Sequence, residues 1–345
     1  MARATKHLAD DGGSRGEPGS APKPPIEEGS SRSEPGAAPE PAAHDAAPAA
    51  DSATRVSVRK AYKMFVDGAF VRSESGRYTQ VPEHEGSGGS VIKENIPRAS
   101  RKDGRDAVVA ARRAWDGWSA RTAFNRGQIL YRLAEMLDAR QDELARALAR
   151  GGLDAGAARR EVLATIDRAI AYAGWSDKYQ SLFSSLNPVS GPHFDFTLPE
   201  PVGVVVIAAP ARPALLGLAG SILPVIVGGN TCVVLASEVD PRAAITFSEA
   251  LATSDLPAGV VNILTGPVAE VLPHLAKHME VAALDLHGLA PALQKSVEID
   301  AAGSVKRVRA RALPEDAWFD AKVTESPRWI ERFVEMKTIW HPSGP

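Results

Sequence analysis

Between positions 201 and 308 apolar β runs and helical stretches follow one another in strict turn, and few folds satisfy that order. Val204-Val205-Val206-Ile207-Ala208 is apolar without a break, as a strand covered on both faces must be, and an apolar helical stretch over 214–227 follows it. The pair then repeats: Cys232-Val233-Val234-Leu235 with a helix over 241–254, Val260-Val261-Asn262-Ile263-Leu264 with a helix over 268–277, and a strand over 281–286 with a helix over 290–302. A short strand over 305–308 closes the series. The alternation predicts an α/β fold, a Rossmann-like parallel sheet with flanking helices.

Upstream the period changes. Met64-Phe65-Val66 and Ala69-Phe70-Val71 flank Asp67-Gly68, the pairing that supplies positive φ to a two-residue hairpin turn. Ser100 with Asp103 three residues on makes a capping-box pattern, and Val108, Ala111, Trp115 and Trp118 recur behind it at helical spacing. A second helix carries Ile129, Leu133, Met136, Leu137, Leu144 and Leu148, and a third carries Val162, Ile166, Ile170 and Ala173 before Gly174-Trp175. These stripes are read as core. Residues 2–55, by contrast, hold only Leu8 and Ile26 as large aliphatic side chains, too little apolar surface to offset the entropy of ordering. A disordered tail is therefore expected over 1–55, a solvated extension or a docking arm.

Charge and cysteine content narrow the partners. The 40 Lys and Arg residues and 42 Asp and Glu residues are mixed along the chain for a net charge of −2, with no basic block to neutralise a run of phosphates, so no nucleic acid is expected. The single cysteine excludes an internal disulfide and a multi-cysteine metal site and fits a reducing compartment. Pro, Gly or Arg interrupts each apolar stretch before the roughly 20 residues of a membrane span, and residues 1–11 show no apolar signal core. A soluble, cytoplasmic protein without a membrane partner is the expectation.

Several segments resemble the aldehyde dehydrogenase superfamily. Phe65-Val66-Asp67-Gly68-Ala69-Phe70-Val71 resembles its first hairpin, Ala173-Gly174-Trp175-Ser176-Asp177-Lys178 the end of its third helix, and Glu200-Pro201-Val202-Gly203-Val204-Val205 the entry to its nucleotide domain. The most specific are Gly228-Gly229-Asn230-Thr231-Cys232-Val233-Val234-Leu235 and Leu256-Pro257-Ala258-Gly259-Val260-Val261-Asn262-Ile263-Leu264-Thr265-Gly266, each combining turn glycines with a strand. The resemblance runs from about position 64 to about 308, and Phe333-Val334-Glu335-Met336-Lys337-Thr338-Ile339-Trp340 resembles the family's final, oligomerisation strand. It implies four segments: the tail over 1–55, a helical and hairpin segment with an oligomerisation strand over 56–200, a degenerate Rossmann-like nucleotide-binding domain over 201–312, and a tail with an oligomerisation strand over 313–345.

The positions that carry the family's chemistry have changed. Where the family has Pro-Trp-Asn-Phe-Pro, whose Asn amide donates to the oxyanion, the chain reads Pro210-Ala211-Arg212-Pro213 with no amide. Of the Lys and Glu that hold the adenosine ribose only Glu238 remains, in Ala236-Ser237-Glu238. The Gly-Ser-Thr-x-x-Gly turn that faces the pyrophosphate reads Leu286-His287-Gly288-Leu289-Ala290-Pro291, leaving Gly288. Glu238 and Gly288 are thus the candidate cofactor-binding residues; no cofactor is expected, and NAD or NADP if any. Lys306-Arg307-Val308-Arg309-Ala310-Arg311-Ala312-Leu313 resembles the segment of the general base and puts Arg311 in its place, where a guanidinium cannot accept a proton. The catalytic domain that should follow needs about 200 residues, and 34 positions follow Arg311.

No catalytic residue and no metal ligand is assigned. Cys232 lies in an apolar β run and is read as structural, His287 as a loop histidine at a strand end, and Lys306, Arg307, Arg309 and Arg311 as a solvated or partner-facing edge. The resemblance implies a noncatalytic aldehyde dehydrogenase-like subunit, a structural or regulatory partner of a complete aldehyde dehydrogenase in a hetero-oligomer, or else a homo-oligomer. Phe194-Asp195-Phe196-Thr197-Leu198 and the C-terminal strand would build the shared sheet. The alternatives are an NAD(P)-dependent aldehyde oxidoreductase with residual or relocated chemistry and a nucleotide-sensing binding protein. Within the C-terminal strand Val334, Met336, Thr338 and Trp340 form the expected apolar face, and removal of 333–345 is expected to leave the α/β core folded.

Overall fold

Val204, Val206, Ala208, Val233 and Leu235 enter one apolar core while Val205, Ile207, Cys232 and Val234 enter another, so alternate residues of each strand face opposite layers. That division is the one expected of a sheet covered on both sides. The structure, a computed structural model, describes residues 58–83 and 93–343; the tail expected over 1–55 lies outside the described residues.

The elements run β1 (Met64–Val66), β2 (Ala69–Val71), β3 (Tyr78–Pro82), β4 (Lys93–Pro97), α1 (Arg101–Ser119), α2 (Ala123–Asp138), α3 (Gln141–Arg150), α4 (Ala155–Trp175), α5 (Tyr179–Phe183), β5 (Ser185–Asn187) and β6 (His193–Pro201). The alternating region follows as β7 (Val204–Ala208), α6 (Leu216–Val227), β8 (Thr231–Leu235), α7 (Pro241–Leu251), β9 (Val261–Leu264), α8 (Val268–Ala276), β10 (Val281–His287), α9 (Pro291–Ala302) and β11 (Arg307–Arg311). A 3-10 turn at Glu315–Phe319, two single-turn helices α10 (Ala321–Thr324) and α11 (Arg328–Glu331), and β12 (Val334–Pro342) complete the described chain.

Among the described residues a seven-stranded sheet has the order β11-β10-β7-β8-β9-β1-β2. The strands from β11 to β9 are parallel, and the hairpin adds two antiparallel strands through the pair Phe65 and Ile263. Asp67 (φ 55°) and Gly68 (φ 73°) make the expected turn, and the Asp67 N–H donates to the Asn262 side chain at 2.9 Å, which ties the hairpin to β9. The capping box also forms: Ser100 Oγ accepts from Asp103 N–H at 3.2 Å and the Asp103 carboxylate from Ser100 N–H at 2.8 Å.

Two expectations need correction. The single helix expected to carry both Ile129 and Leu148 is two, because Arg140 leaves helical backbone at φ −112° and ψ 16° and α3 restarts behind it. Leu137 and Leu144 hid the break, since seven residues span two turns and both side chains are fully buried in one core. The closing strand lies at Arg307–Arg311 rather than 305–308. Val305 takes φ 55° in the turn after α9, and the paired residues are Ala283 with Arg307 through His287 with Arg311.

Helices α2, α4, α6 and α7 cover one sheet face and α1, α8 and α9 the other. β12 pairs with β6 of the same chain over the whole of its length, and β5 pairs with the other edge of β6. Phe333 is fully buried and its carbonyl accepts from Asn230 Nδ2 at 2.8 Å, while Val334 is buried in the same core. Removal of 333–345 therefore takes out core residues, contrary to the expectation from sequence; the solvent-facing part of the strand begins at Glu335.

Candidate functional site

The strand order puts the topological switch between β7 and β10, adjacent parallel strands whose following helices α6 and α9 leave on opposite faces. In open α/β sheets ligands gather beyond the carboxyl ends of the strands at this place. β10 changes character there: Leu284 and Leu286 enter the core shared with α9, so Asp285 and His287 lie on the α6 side. Both are buried, and the β11 neighbour of His287 is Arg311.

Asp285 holds the cluster together. Its Oδ1 accepts from Arg311 Nη2 at 2.5 Å and its Oδ2 lies 3.0 Å from His287 Nε2. Burial would raise the Asp285 carboxyl, but the facing His287 and Arg311 outweigh burial and bring it down to about 2. Ser221 Oγ on α6 stands 3.1 Å from the same His287 Nε2 and donates its own proton to the Gly217 carbonyl at 2.8 Å. With its hydrogen committed, Ser221 is an acceptor towards the ring, and the Nε2 proton serves both Asp285 and Ser221.

The trio of serine, histidine and aspartate is therefore no nucleophilic triad. Such a triad needs acid and hydroxyl on opposite ring nitrogens; here both sit on Nε2, and Nδ1 is buried without a partner. The cluster is also roofed. Trp318 packs against His287 with ring centres 5.2 Å apart, Trp329 stacks parallel to it at 6.5 Å, and the Arg311 guanidinium lies 3.7 Å over the Trp329 ring. Helix α4 fastens this cover from below. Arg168 Nη2 donates to the Trp318 carbonyl at 2.9 Å, Tyr172 to the Thr324 carbonyl at 2.8 Å and Trp175 Nε1 to the Glu325 carbonyl at 2.8 Å.

The sequence candidates fall in different places. Glu238 is exposed, and its carboxylate accepts from the Val268 N–H at 2.7 Å, capping the start of α8. Gly288 takes φ 61° and donates its N–H to the Arg311 carbonyl at 2.8 Å, with open space where a side chain would stand. Cys232 is fully buried, and burial pushes its thiol up. His287 is the correction of substance. Read as a loop histidine, it ends strand β10 inside the protein. The run from Lys306 to Arg311 divides: Arg307, Arg309 and Arg311 share one side of β11, while Lys306 is buried before the strand, which lowers its ammonium pKa.

Sequence reasoning missed Asp285, Ser221, Glu161 and the two tryptophans. Glu161, on α4, is buried, and one carboxylate oxygen accepts from the Leu215 and Leu216 N–H groups at 2.7 and 3.0 Å. Burial pushes its carboxyl pKa up against those two bonds. The start of α6 behind Pro210-Ala211-Arg212-Pro213 thus holds an anion supplied by the protein itself. A polar pair two residues apart in an otherwise apolar strand, Asp285 and His287, was the available sign of a buried network. Among the described residues no helix is long and apolar enough to cross a membrane, and no cluster of metal-binding side chains occurs.

Comparison with known proteins agrees with this architecture. The family model described as aldehyde dehydrogenase family matches residues 70–312. The chain is 30% identical over 259 residues to the cytosolic 10-formyltetrahydrofolate dehydrogenase of Xenopus tropicalis, covering 73% of this chain and 28% of that protein. It is 36% identical over 228 residues to the hydroxyisobutyraldehyde dehydrogenase of Mycolicibacterium austroafricanum, covering 65% of this chain and 44% of that one. The structure superimposes on the NAD+ complex of an aldehyde dehydrogenase from Bacillus cereus with a TM-score of 0.68 at 25% identity, over 73% of this chain and 51% of the other. The chain thus spans about half or less of the length of these relatives, from 28% to 51%. On the strength of the matched residues and the shared sheet, the chain belongs to the aldehyde dehydrogenase family.

Proposed function

We propose that this chain is a noncatalytic member of the family that serves as a structural or regulatory subunit beside a complete aldehyde dehydrogenase. The observation that carries the reading is Arg311: the position where the family's general base would stand holds a guanidinium locked onto Asp285 and stacked beneath Trp329. It cannot accept a proton.

The residues present do not fit a dinucleotide either. Glu238, which would meet the ribose, has its carboxylate drawn onto the first turn of α8. Helix α9, whose start would face the pyrophosphate, opens with Ala290 as its cap and Pro291 at its first position, which has no N–H to offer. Titration calorimetry with NAD+ and NADH is expected to show no binding tighter than about millimolar, roughly 4 kcal/mol. A micromolar dissociation constant for either would instead support a nucleotide sensor.

Assembly rests on the β12-β6-β5 sheet. Leu186, Phe196 and Ile339 are register partners and share one face with Phe194 and Leu198 on β6. Phe194, Leu198 and Leu186 are exposed there, and β12 and β5 leave their outer edges unpaired among the described residues. The apolar face is thus the one that contains Ile339; the face of Met336, Thr338 and Trp340, which the strand pattern alone favours, carries Thr338 hydrogen-bonded to Thr197 and stands beside Asp195. Co-expression with a full-length relative should yield a complex on size-exclusion chromatography with light scattering. The double change Phe194→Asp with Leu198→Asp should weaken it by a few kcal/mol, as for loss of buried anchors. A protein that stays monomeric with and without the relative would remove the assembly reading.

A further inference from the structure

Five arginines converge on one cavity of about 680 Å³ between β11, α11 and the start of β12. Arg307, Arg309 and Arg311 reach it because a strand sends every second side chain to the same side, and Arg328 and Arg332 reach it because residues four apart share a helix face. Two elements with different periods thus present the same chemistry to one space.

The carboxylates nearby leave that charge unbalanced. Asp285 pairs with Arg311, Glu331 with Arg328 at 3.2 Å, and Glu335 with Arg307 at 3.7 Å. Arg307 is further occupied by the Val334 and Arg332 carbonyls, to which it donates at 2.6 and 3.3 Å. Arg309 and Arg332 have no carboxylate within 4.0 Å among the described residues, and Arg332 Nη1, Arg311 Nε and Arg311 Nη1 are buried with no hydrogen-bond partner. Burial first, and then the charges of Arg311 and Arg309, lower the Arg332 guanidinium pKa against the opposing pull of Asp285. Ala310, Val334 and Met336 supply an apolar wall beside them.

We propose that this cavity binds a phosphorylated small molecule, its phosphate monoester held among Arg309, Arg311 and Arg332 and its organic body against Val334 and Met336. A dianionic phosphate has three acceptor oxygens, the number needed to meet several guanidinium forks, and the volume lies within the usual range for small-ligand sites. The proposal does not rest on the assembly reading, since the cavity is bounded by β11 and by Met336, on the face of β12 opposite Ile339, and needs no partner.

Calorimetric titration of the full chain with glucose 6-phosphate and fructose 1,6-bisphosphate, with glucose and a glutamate-rich peptide as controls, tests it. Both phosphates should bind, with affinity falling as salt rises, and glucose should not. Arg309→Gln, at an exposed position where the thermal midpoint should stay unchanged, should weaken phosphate binding about tenfold or more, and Arg332→Gln likewise. Absence of binding by both phosphates, equal affinity in the Arg309→Gln protein, or binding of the peptide alone would each overturn the assignment.

Discussion

Replacing Asp285 with alanine is expected to destabilise the fold by about 3–5 kcal/mol, because it leaves a buried guanidinium without its counter-charge. Asp285 is fully buried and its two oxygens serve Arg311 at 2.5 Å and His287 at 3.0 Å. Arg311 already has two nitrogens without partners, so no other acceptor takes over. Urea unfolding followed by circular dichroism measures the loss. The double change Asp285→Ala with Arg311→Met should recover a large part of it, since removing both charges abolishes the desolvation that neither repays alone. If the single and double variants are equally unstable, the pair is not what holds this corner.

The same carboxylate gives a pH signature with a definite sign. Its pKa in the folded chain is about 2, against about 3.9 for an unperturbed aspartate. The folded state therefore favours the ionised form; the contribution is present above about pH 4 and is lost as pH falls through about 2. Asp285→Asn should flatten the acid limb of the stability profile in that window, and an acid limb identical to that of the parent would show that Asp285 is not paired as described.

Trp318→Ala is expected to cost about 3–5 kcal/mol, the range for emptying the site of a buried aromatic. Trp318 is 1% exposed. It contacts His287 and Trp329, with ring centres 5.2 and 5.7 Å away, and stands so close to Gly220 of α6 that a side chain added there would meet its ring at 3.1 Å. For a unit of this size the loss corresponds to a fall in thermal midpoint of roughly 10 °C. Trp318→Phe should cost much less, because it keeps most of the ring contact and removes an indole N–H that has no partner. A loss below about 1 kcal/mol for Trp318→Ala would mean that the cover opens without the rest of the fold.

Much of the architecture is legible in the sequence. The β runs at Val204 and Cys232, the Asp67-Gly68 turn and the Ser100 cap are decided by residues within a few positions of one another, so their pattern survives in the bare sequence. The break at Arg140 did not survive, because a stripe that continues in phase across a short interruption looks the same as an unbroken helix. Of the site, the segment Pro210-Ala211-Arg212-Pro213 and Arg311 could be read directly, while Glu161, at the helix start behind the first, and Asp285, the partner of the second, could not.

By itself, then, the sequence determined the α/β class, the alternation of strand and helix, and the family, all of which rest on local periodicity and short motifs. Only the tertiary structure decided that Arg311 finds Asp285 across 26 positions, that Asn230 holds the Phe333 carbonyl across 103, and that Trp318 and Trp329 close over His287. The strand order brings Arg311 beside His287, and the return of the chain across α6 brings the tryptophans; neither contact leaves a period in the sequence. The outward face of the β12 strand was decided in the same way. Its own alternation offers two faces, and cross-strand neighbours on β6 and β5, not the strand itself, made the one with Ile339 apolar.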